Sequence, residues 1–309
     1  MRHFLIDTDT ASDDAVALIM ALREPSIAVE AITVVAGNCP VKMALTNALI
    51  SVEQAKTYIP PVFSGMKKPL FKELYTAQFV HGEDGMGNTS LAPSTLKPEK
   101  KHAVDAIIDY AARFDGTLEI VTLGPLTNLA MAILKAPEII KKIKHIFIMG
   151  GSGGKSGNIT PLAEFNMFVD AEAAHLVFNS GLPITAIGWE IGVGEAFINE
   201  NDIQKLNQLG RLGKFAVDIN QTVKAFNYQR SNKVGFDLPD PTAMAVALYP
   251  EIVTDCISAH TWIEYQSPTA YGHLAIDATG LLDKPVNAKI ITKINHKLFK
   301  HKLFTLLAD

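Results

Sequence analysis

Four carboxylates fall within eight residues near the start of the chain, in Phe4-Leu5-Ile6-Asp7-Thr8-Asp9-Thr10-Ala11-Ser12-Asp13-Asp14. Like charges so close repel one another, and a loop keeps such a cluster where something offsets the charge. One account is local: acids in a first helical turn cap free N–H groups and suit the helix dipole. That covers Ser12, Asp13 and Asp14 but leaves Asp7 and Asp9 unexplained. The other account is a bound divalent cation, because carboxylate oxygens suit a hard ion such as Ca²⁺ or Mg²⁺. It covers the whole cluster.

Three further polar groups could do chemistry. Gly157-Asn158-Ile159-Thr160-Pro161-Leu162-Ala163-Glu164-Phe165-Asn166 mixes donors and acceptors, as a polyhydroxylated ligand requires. In Phe236-Asp237-Leu238-Pro239-Asp240-Pro241, Asp240 stands before a proline able to open a helix, so helix capping competes with ligation there. His81 lies beside the glycine-rich stretch Gly82-Glu83-Asp84-Gly85-Met86-Gly87-Asn88, where a plain surface histidine is the alternative.

The elements that must position these groups follow from periodicity. Apolar β-rich runs at 3–7, 27–35, 118–122, 144–149, 184–187 and 255–261 read as strands. Helical patterns at 13–22, 41–57, 103–114, 126–135, 171–179, 203–221 and 241–248 separate them. Such alternation predicts an α/β fold with a mostly parallel, doubly wound sheet covered by helices on both faces. Ligands then bind outside the carboxyl ends of the strands. The polar clusters pass that test: Gly37-Asn38, Leu123-Gly124-Pro125-Leu126-Thr127-Asn128, Gly150-Gly151 and Trp189-Glu190 each follow a strand. Residues 64–101 lack periodicity and read as a long functional loop around His81. Residues 199–240 read as mainly helical, forming a cap or flank. No linker interrupts the chain, so 1–309 is taken as one domain.

Composition narrows the function classes. With 48% hydrophobic and 19% charged residues the chain can bury a large core. A net charge of −4 leaves no basic surplus for a nucleic-acid backbone. Cys39 and Cys256 alone make neither a disulfide framework nor a zinc site. The start of the chain lacks a signal-peptide pattern and no apolar run reaches membrane-spanning length, so a soluble cytoplasmic protein is expected.

Together these motifs resemble the nucleoside hydrolase family, calcium-dependent enzymes that cleave the N-glycosidic bond of ribonucleosides in nucleoside salvage. Asp7-Thr8-Asp9-x-x-x-Asp13-Asp14-Ala15 is similar to that family's amino-terminal signature. Gly37-Asn38, Leu123–Asn128, Gly157–Asn166 and Asp240-Pro241 are similar to its later blocks, in the same order. The resemblance implies that Asp9, Asp14, Asp240 and the Leu123 carbonyl bind Ca²⁺, with Asp9 as the base that activates water. It implies that Asp13 and Asn38 hold ribose hydroxyls, and that Asn158, Glu164 and Asn166 hold the 5′ side. Met149 and Phe165 would line the sugar pocket, with His81 near the base. A homodimer or homotetramer is implied in the same way.

Two positions depart from the pattern. Thr10 replaces a proline, which only sets a turn. Pro239 stands where one large group of the family carries a histidine that protonates the leaving base. Proline has no proton to give, so His81, Tyr228, Arg230 and Trp189 become the candidates for that side of the site. Two rivals remain at the level of sequence. A haloacid dehalogenase-type phosphatase also places Asp-x-Asp after an apolar strand, but Ala11-Ser12 and the missing later motifs fit it poorly. A non-catalytic nucleoside or sugar binder could keep the cation site without the acid.

Overall fold

The computed structural model describes residues 1–309. In chain order the strands are β1 (Arg2–Thr8), β2 (Ile27–Val34), β3 (Val62–Ser64), β4 (Leu118–Thr122), β5 (Ile143–Met149) and β6 (Ile184–Ile187). They continue with β7 (Ile198–Asn199), β8 (Gly235–Phe236), β9 (Val253–Glu264), β10 (His273–Asp277) and β11 (Ala288–Ile294). Nine of them form one sheet in the order β10-β9-β11-β6-β5-β4-β1-β2-β3, while β7 and β8 pair separately. Only β9 runs against the other strands of the large sheet. The fold is therefore the mostly parallel α/β architecture expected.

Why both faces are covered can be read along single strands. Side chains alternate across a sheet. Phe4 and Ile6 of β1 join one buried cluster, which also holds helices Ser12–Arg23, Val41–Ala55, Pro239–Leu248 and His296–Leu307. Leu5 between them joins another, with helices Ala103–Phe114, Thr127–Lys135 and Ala171–Phe178. All three side chains are fully buried, each worth roughly 1.5–3 kcal/mol of hydrophobic transfer. The central strand is thus held from both sides, which fixes the position of the acidic segment at its carboxyl end. No helix is long and apolar enough to cross a membrane.

Several elements differ from the sequence expectation. The single helix expected over 203–221 is two, Glu200–Gln208 and Arg211–Ile219. Gly210 breaks it with φ of 97°, a conformation that costs glycine little. A further helix, Gln221–Ser231, extends the flank. Strands β3, β10 and β11 and the helix His296–Leu307 are additions; lysines at 289 and 293 interrupt the apolar run of β11. Asp240 does not cap the helix Pro239–Leu248: Leu238 is the N-cap, and the helix starts at Pro239.

Asp7 also finds its explanation here. Its Oδ1 accepts from Thr33 Oγ1 (2.5 Å) on β2 and from Asn128 Nδ2 (2.8 Å) in the helix after β4. Asn128 Oδ1 in turn accepts from Met66 N at 2.8 Å. Asp7 is therefore a clamp across three segments, and burial pushes its carboxyl up to about 7. Asn128→Ala removes both bonds of a fully buried side chain and strands partners at Asp7 and Met66, at a cost of about 2–4 kcal/mol. Urea denaturation measures this; a loss below about 0.5 kcal/mol would mean the clamp contributes nothing beyond a surface substitution.

Candidate active site

Strands β6, β5, β4, β1 and β2 run side by side and parallel, so their carboxyl ends open on one edge of the sheet. Above this edge lies a cavity of about 620 Å³. Asp13, Asn38, Leu123, Met149, Trp189 and Asp240 line it from the segments after those strands and from the helix Pro239–Leu248. His81, Asn158, Glu164, Phe165, Asn166 and Arg230, also expected at the site, stand on its wall. Asp9 and Asp14 are fully buried and do not form part of the lining.

The acids are held by donors their own chain supplies. Asp14 accepts from Thr8 Oγ1 (2.5 Å), Ala11 N (2.9 Å) and Asn38 Nδ2 (3.3 Å). Asp9 Oδ2 accepts from Asn38 N at 2.6 Å. Asn38, beyond the end of β2, therefore orients two of the four carboxylates. Glycines press on Asp9 from both sides: a Cβ on Gly37 would overlap Oδ2, and one on Gly124 would lie 2.6 Å from Oδ1. The glycines after β2 and β4 are thus needed for close approach rather than for turns.

The same acids are under-satisfied. Asp9 Oδ1 and Asp13 Oδ1 are buried without any hydrogen-bond partner. Burial, followed by repulsion from Asp14, pushes both Asp9 and Asp13 well above the usual carboxylate range. Burial, followed by repulsion from Asp13, does the same to Asp240. Carboxylate oxygens of Asp13, Asp14 and Asp240 lie within 4.8 Å of one another. Orphaned buried oxygens on converging anions are what a hard divalent cation would satisfy, so the donor set fits one. This trio includes Asp13, which the sequence reading assigned to the ribose, and does not include Asp9, which it assigned to the ion. Leu123 O, expected to be a ligand, accepts from Asn166 Nδ2 at 2.6 Å and keeps a second lone pair.

On the neighbouring wall, Glu164 caps the short helix Phe165–Val169. Its oxygens accept from Asn166 N (2.8 Å), Gly151 N (3.1 Å) and Met167 N (3.2 Å), while burial pushes its carboxyl up to about 7. Asn158 Oδ1 accepts from Phe165 N at 2.9 Å. Asn166 also reaches Met149 O at 3.2 Å, so one carboxamide joins the ends of β4 and β5.

The far wall departs most from the sequence reading. His81 Nδ1 lies 2.8 Å from Ser12 Oγ and 3.8 Å from Asp13 Oδ1. Burial pushes its imidazole down to about 4, so the ring is neutral at neutral pH. Tyr228 is 55% exposed and does not reach the cavity. Its place in the helix Gln221–Ser231 explains this. Val223, Phe226, Asn227 and Arg230 share one face at helical spacing and line the cavity; Tyr228 points elsewhere. Arg230 Nη1 lies 3.4 Å from Asn158 O. Sequence reading missed Phe79, Phe226, Asn227 and Asp237, all on the lining. The signal was the face at 223, 226, 227 and 230, visible once the helix is extended beyond 221.

Comparison with known proteins gives a consistent picture. The inosine-uridine preferring nucleoside hydrolase family matches residues 4–301. The pyrimidine-specific ribonucleoside hydrolase RihB of Escherichia coli is 33% identical over 290 residues, 94% of this chain and 91% of the relative. A plant nucleoside hydrolase, PpNRh1, superimposes with a TM-score of 0.92 at 30% identity, covering 99% of both chains. A purine-preferring ribonucleoside hydrolase from Gardnerella vaginalis does so with 0.91 at 29% identity, covering 99% of this chain and 98% of that one.

The glycine cradle predicts how Asp9 is kept in place. Gly124→Ala pushes a methyl group against Asp9 Oδ1 and should weaken divalent-cation binding at least about tenfold in calorimetry, as displaced ligands and supports do. Unchanged affinity in a folded variant would remove Asp9 from the reach of the ion.

Proposed function

Because the chain belongs to the inosine-uridine preferring nucleoside hydrolase family, metal-dependent hydrolases acting on ribonucleosides, we propose that it uses Ca²⁺ to hydrolyse ribonucleosides to ribose and free base. The observation that carries the reading is the group of buried, mutually repelling carboxylates with orphaned oxygens at the cavity. A phosphatase of the haloacid dehalogenase type is set aside by the family match. Residues 1–309 would act as one catalytic domain in the cytoplasm, as the unbroken sequence pattern suggests, and in nucleoside salvage as a homodimer or homotetramer, as the family resemblance suggests.

Asp9, Asp14, Asp240 and the Leu123 carbonyl would hold the ion, with Asp13 close enough to share it. When bound, Ca²⁺ lowers the pKa of a water and anchors hydroxyl oxygens. Asp9 Oδ1, free of protein donors, is the atom that would take the proton from that water. Asp13 and Asn38 would hold ribose hydroxyls. Asn158, Glu164 and Asn166 would fix the 5′ side, with Met149 and Phe165 packing on the sugar. Attack at C1′ would develop oxocarbenium character, as in inverting glycoside hydrolysis.

Removing one carboxylate breaks the set. Asp14→Ala also frees Thr8, Ala11 and Asn38 from their acceptor, so turnover of natural ribonucleosides should fall below detection and calcium should no longer co-purify. Full activity after dialysis against a chelator would sink the calcium reading.

On the leaving-group side Pro239 lines the cavity where the family resemblance led us to look for an acid. A positioned acid contributes about a hundred- to ten-thousand-fold. Burial pushes the His81 imidazole down to about 4 and Tyr228 points away, which leaves the N–H groups of His81, Arg230 and Trp189 on the wall as hydrogen-bond donors. Hydrogen bonds from such groups offset less of the charge on a departing base than a transferred proton does, so leaving-group ability should control the rate. A nitrophenyl riboside should turn over at least about a hundredfold faster than uridine, the size of one missing acid. Equal rates for the two would show that an acid is in place.

A further inference from the structure

Asp237 is an anion placed in the cavity with no assigned task. It lies two residues before Pro239 and lines the same wall as Phe226, Asn227 and Trp189. Both of its oxygens are oriented: Oδ1 accepts from Asn227 Nδ2 at 2.7 Å, and Oδ2 from Trp189 Nε1 at 3.3 Å. None of the ion pairs of the molecule involves it. A carboxylate offers about four acceptor positions, so two remain after these bonds. Asp13 and His81 line the same cavity.

A held carboxylate without a cation, on a wall lined with aromatic rings, asks its ligand for N–H donors. We infer that Asp237 is the base-recognising acceptor of this cavity and that it selects 2-amino-6-oxopurine ribonucleosides, with guanosine as the best fit. The inference rests on the nucleoside hydrolase reading and adds the base. Guanine presents N1–H and the 2-amino group side by side, and two parallel donors match the two oxygens of a carboxylate, as a guanidinium does. Hypoxanthine offers only N1–H on that edge. Adenine and cytosine place an unprotonated ring nitrogen beside their amino group, so a lone pair faces the anion. Uracil N3–H is flanked by two carbonyl oxygens. A cavity of about 620 Å³ has room for a purine riboside.

The experiment is a panel of kcat/KM values for guanosine, inosine, adenosine, cytidine, uridine and 1-methylguanosine. In the unaltered protein guanosine should exceed adenosine, cytidine and uridine, and 1-methylguanosine should lose at least about tenfold against guanosine, because a site built for N–H donors rejects an analogue lacking one. In Asp237→Asn, which keeps the shape but turns one acceptor into a donor, the guanosine-to-adenosine ratio should fall at least about tenfold. The 1-methylguanosine arm uses no variant, so misfolding of Asp237→Asn cannot decide the outcome. A guanosine-to-adenosine ratio at or below one in the unaltered protein, or 1-methylguanosine turned over as fast as guanosine, overturns the assignment. A ratio unchanged by Asp237→Asn also overturns it, while hydrolysis of any ribonucleoside would leave the broader reading standing. No hydrolysis of any of the six overturns both.

Discussion

Anionic oxygens crowded away from water are the constraint on which the rest of this structure depends. Asp9, Asp13, Asp14 and Asp240 are all buried. An isolated buried charge is expensive unless it is paired or hydrogen-bonded. The protein answers part of this demand through Asn38, Ala11 and Thr8, and leaves the rest unmet at Asp9 Oδ1 and Asp13 Oδ1. Partial satisfaction would be a defect in a core built only for stability. Next to a cavity it leaves acceptors ready for a cation, provided the scaffold keeps the acids from moving apart.

That scaffold is rigid because it is over-determined. Strand β1 is buried on both faces, and Asp7 bonds to Thr33 and Asn128 just ahead of the other acids. Gly37 and Gly124 then close on Asp9 from the ends of neighbouring strands. The far end of the sheet carries a different device: Arg2 and Lys144 pair with the buried Glu119, tying β1, β4 and β5 together away from the cavity. Two acidic positions on one sheet therefore do opposite things. At one end the protein pairs the acid with cations of its own; at the other it leaves acidic oxygens without a partner.

Sequence located the residues at the strand ends better than those on the helical wall of the cavity, for a physical reason. Strand-end loops place their residues by short-range rules, so Asp9, Asn38 and Leu123 could be brought to one edge from the order of elements, while Asn166 was reached through the family resemblance. The base-side wall comes from the helix Gln221–Ser231 and the segment before Pro239, whose position depends on long-range packing. Tyr228 was misplaced because a helix extending past 221 puts it about half a turn from the face of Phe226. Asp237 escaped notice because a single acid near a second one reads as an ordinary loop residue. The missed strands β10 and β11 fall late in the chain, where charged residues interrupt the apolar runs.

The same division bears on how such a scaffold changes substrate. PpNRh1 and the purine-preferring hydrolase of Gardnerella vaginalis superimpose on this chain at 0.92 and 0.91, although fewer than a third of residues are identical. RihB, described as pyrimidine-specific, is similar over 94% of the chain. A preference for either class of base therefore does not require a different sheet or a different arrangement of strand ends. It requires different side chains where the cavity wall is built from a helix face, and a helix face can change one residue at a time. Phe226, Asn227 and Arg230 fit that pattern, and Asp237 lines the same wall from the segment before the helix Pro239–Leu248. Asp240 beside them sits in the first turn of a helix buried against the core, so its placement is fixed by packing. Pro239, one residue away, faces the cavity itself, so a substitution there reaches the cavity wall directly.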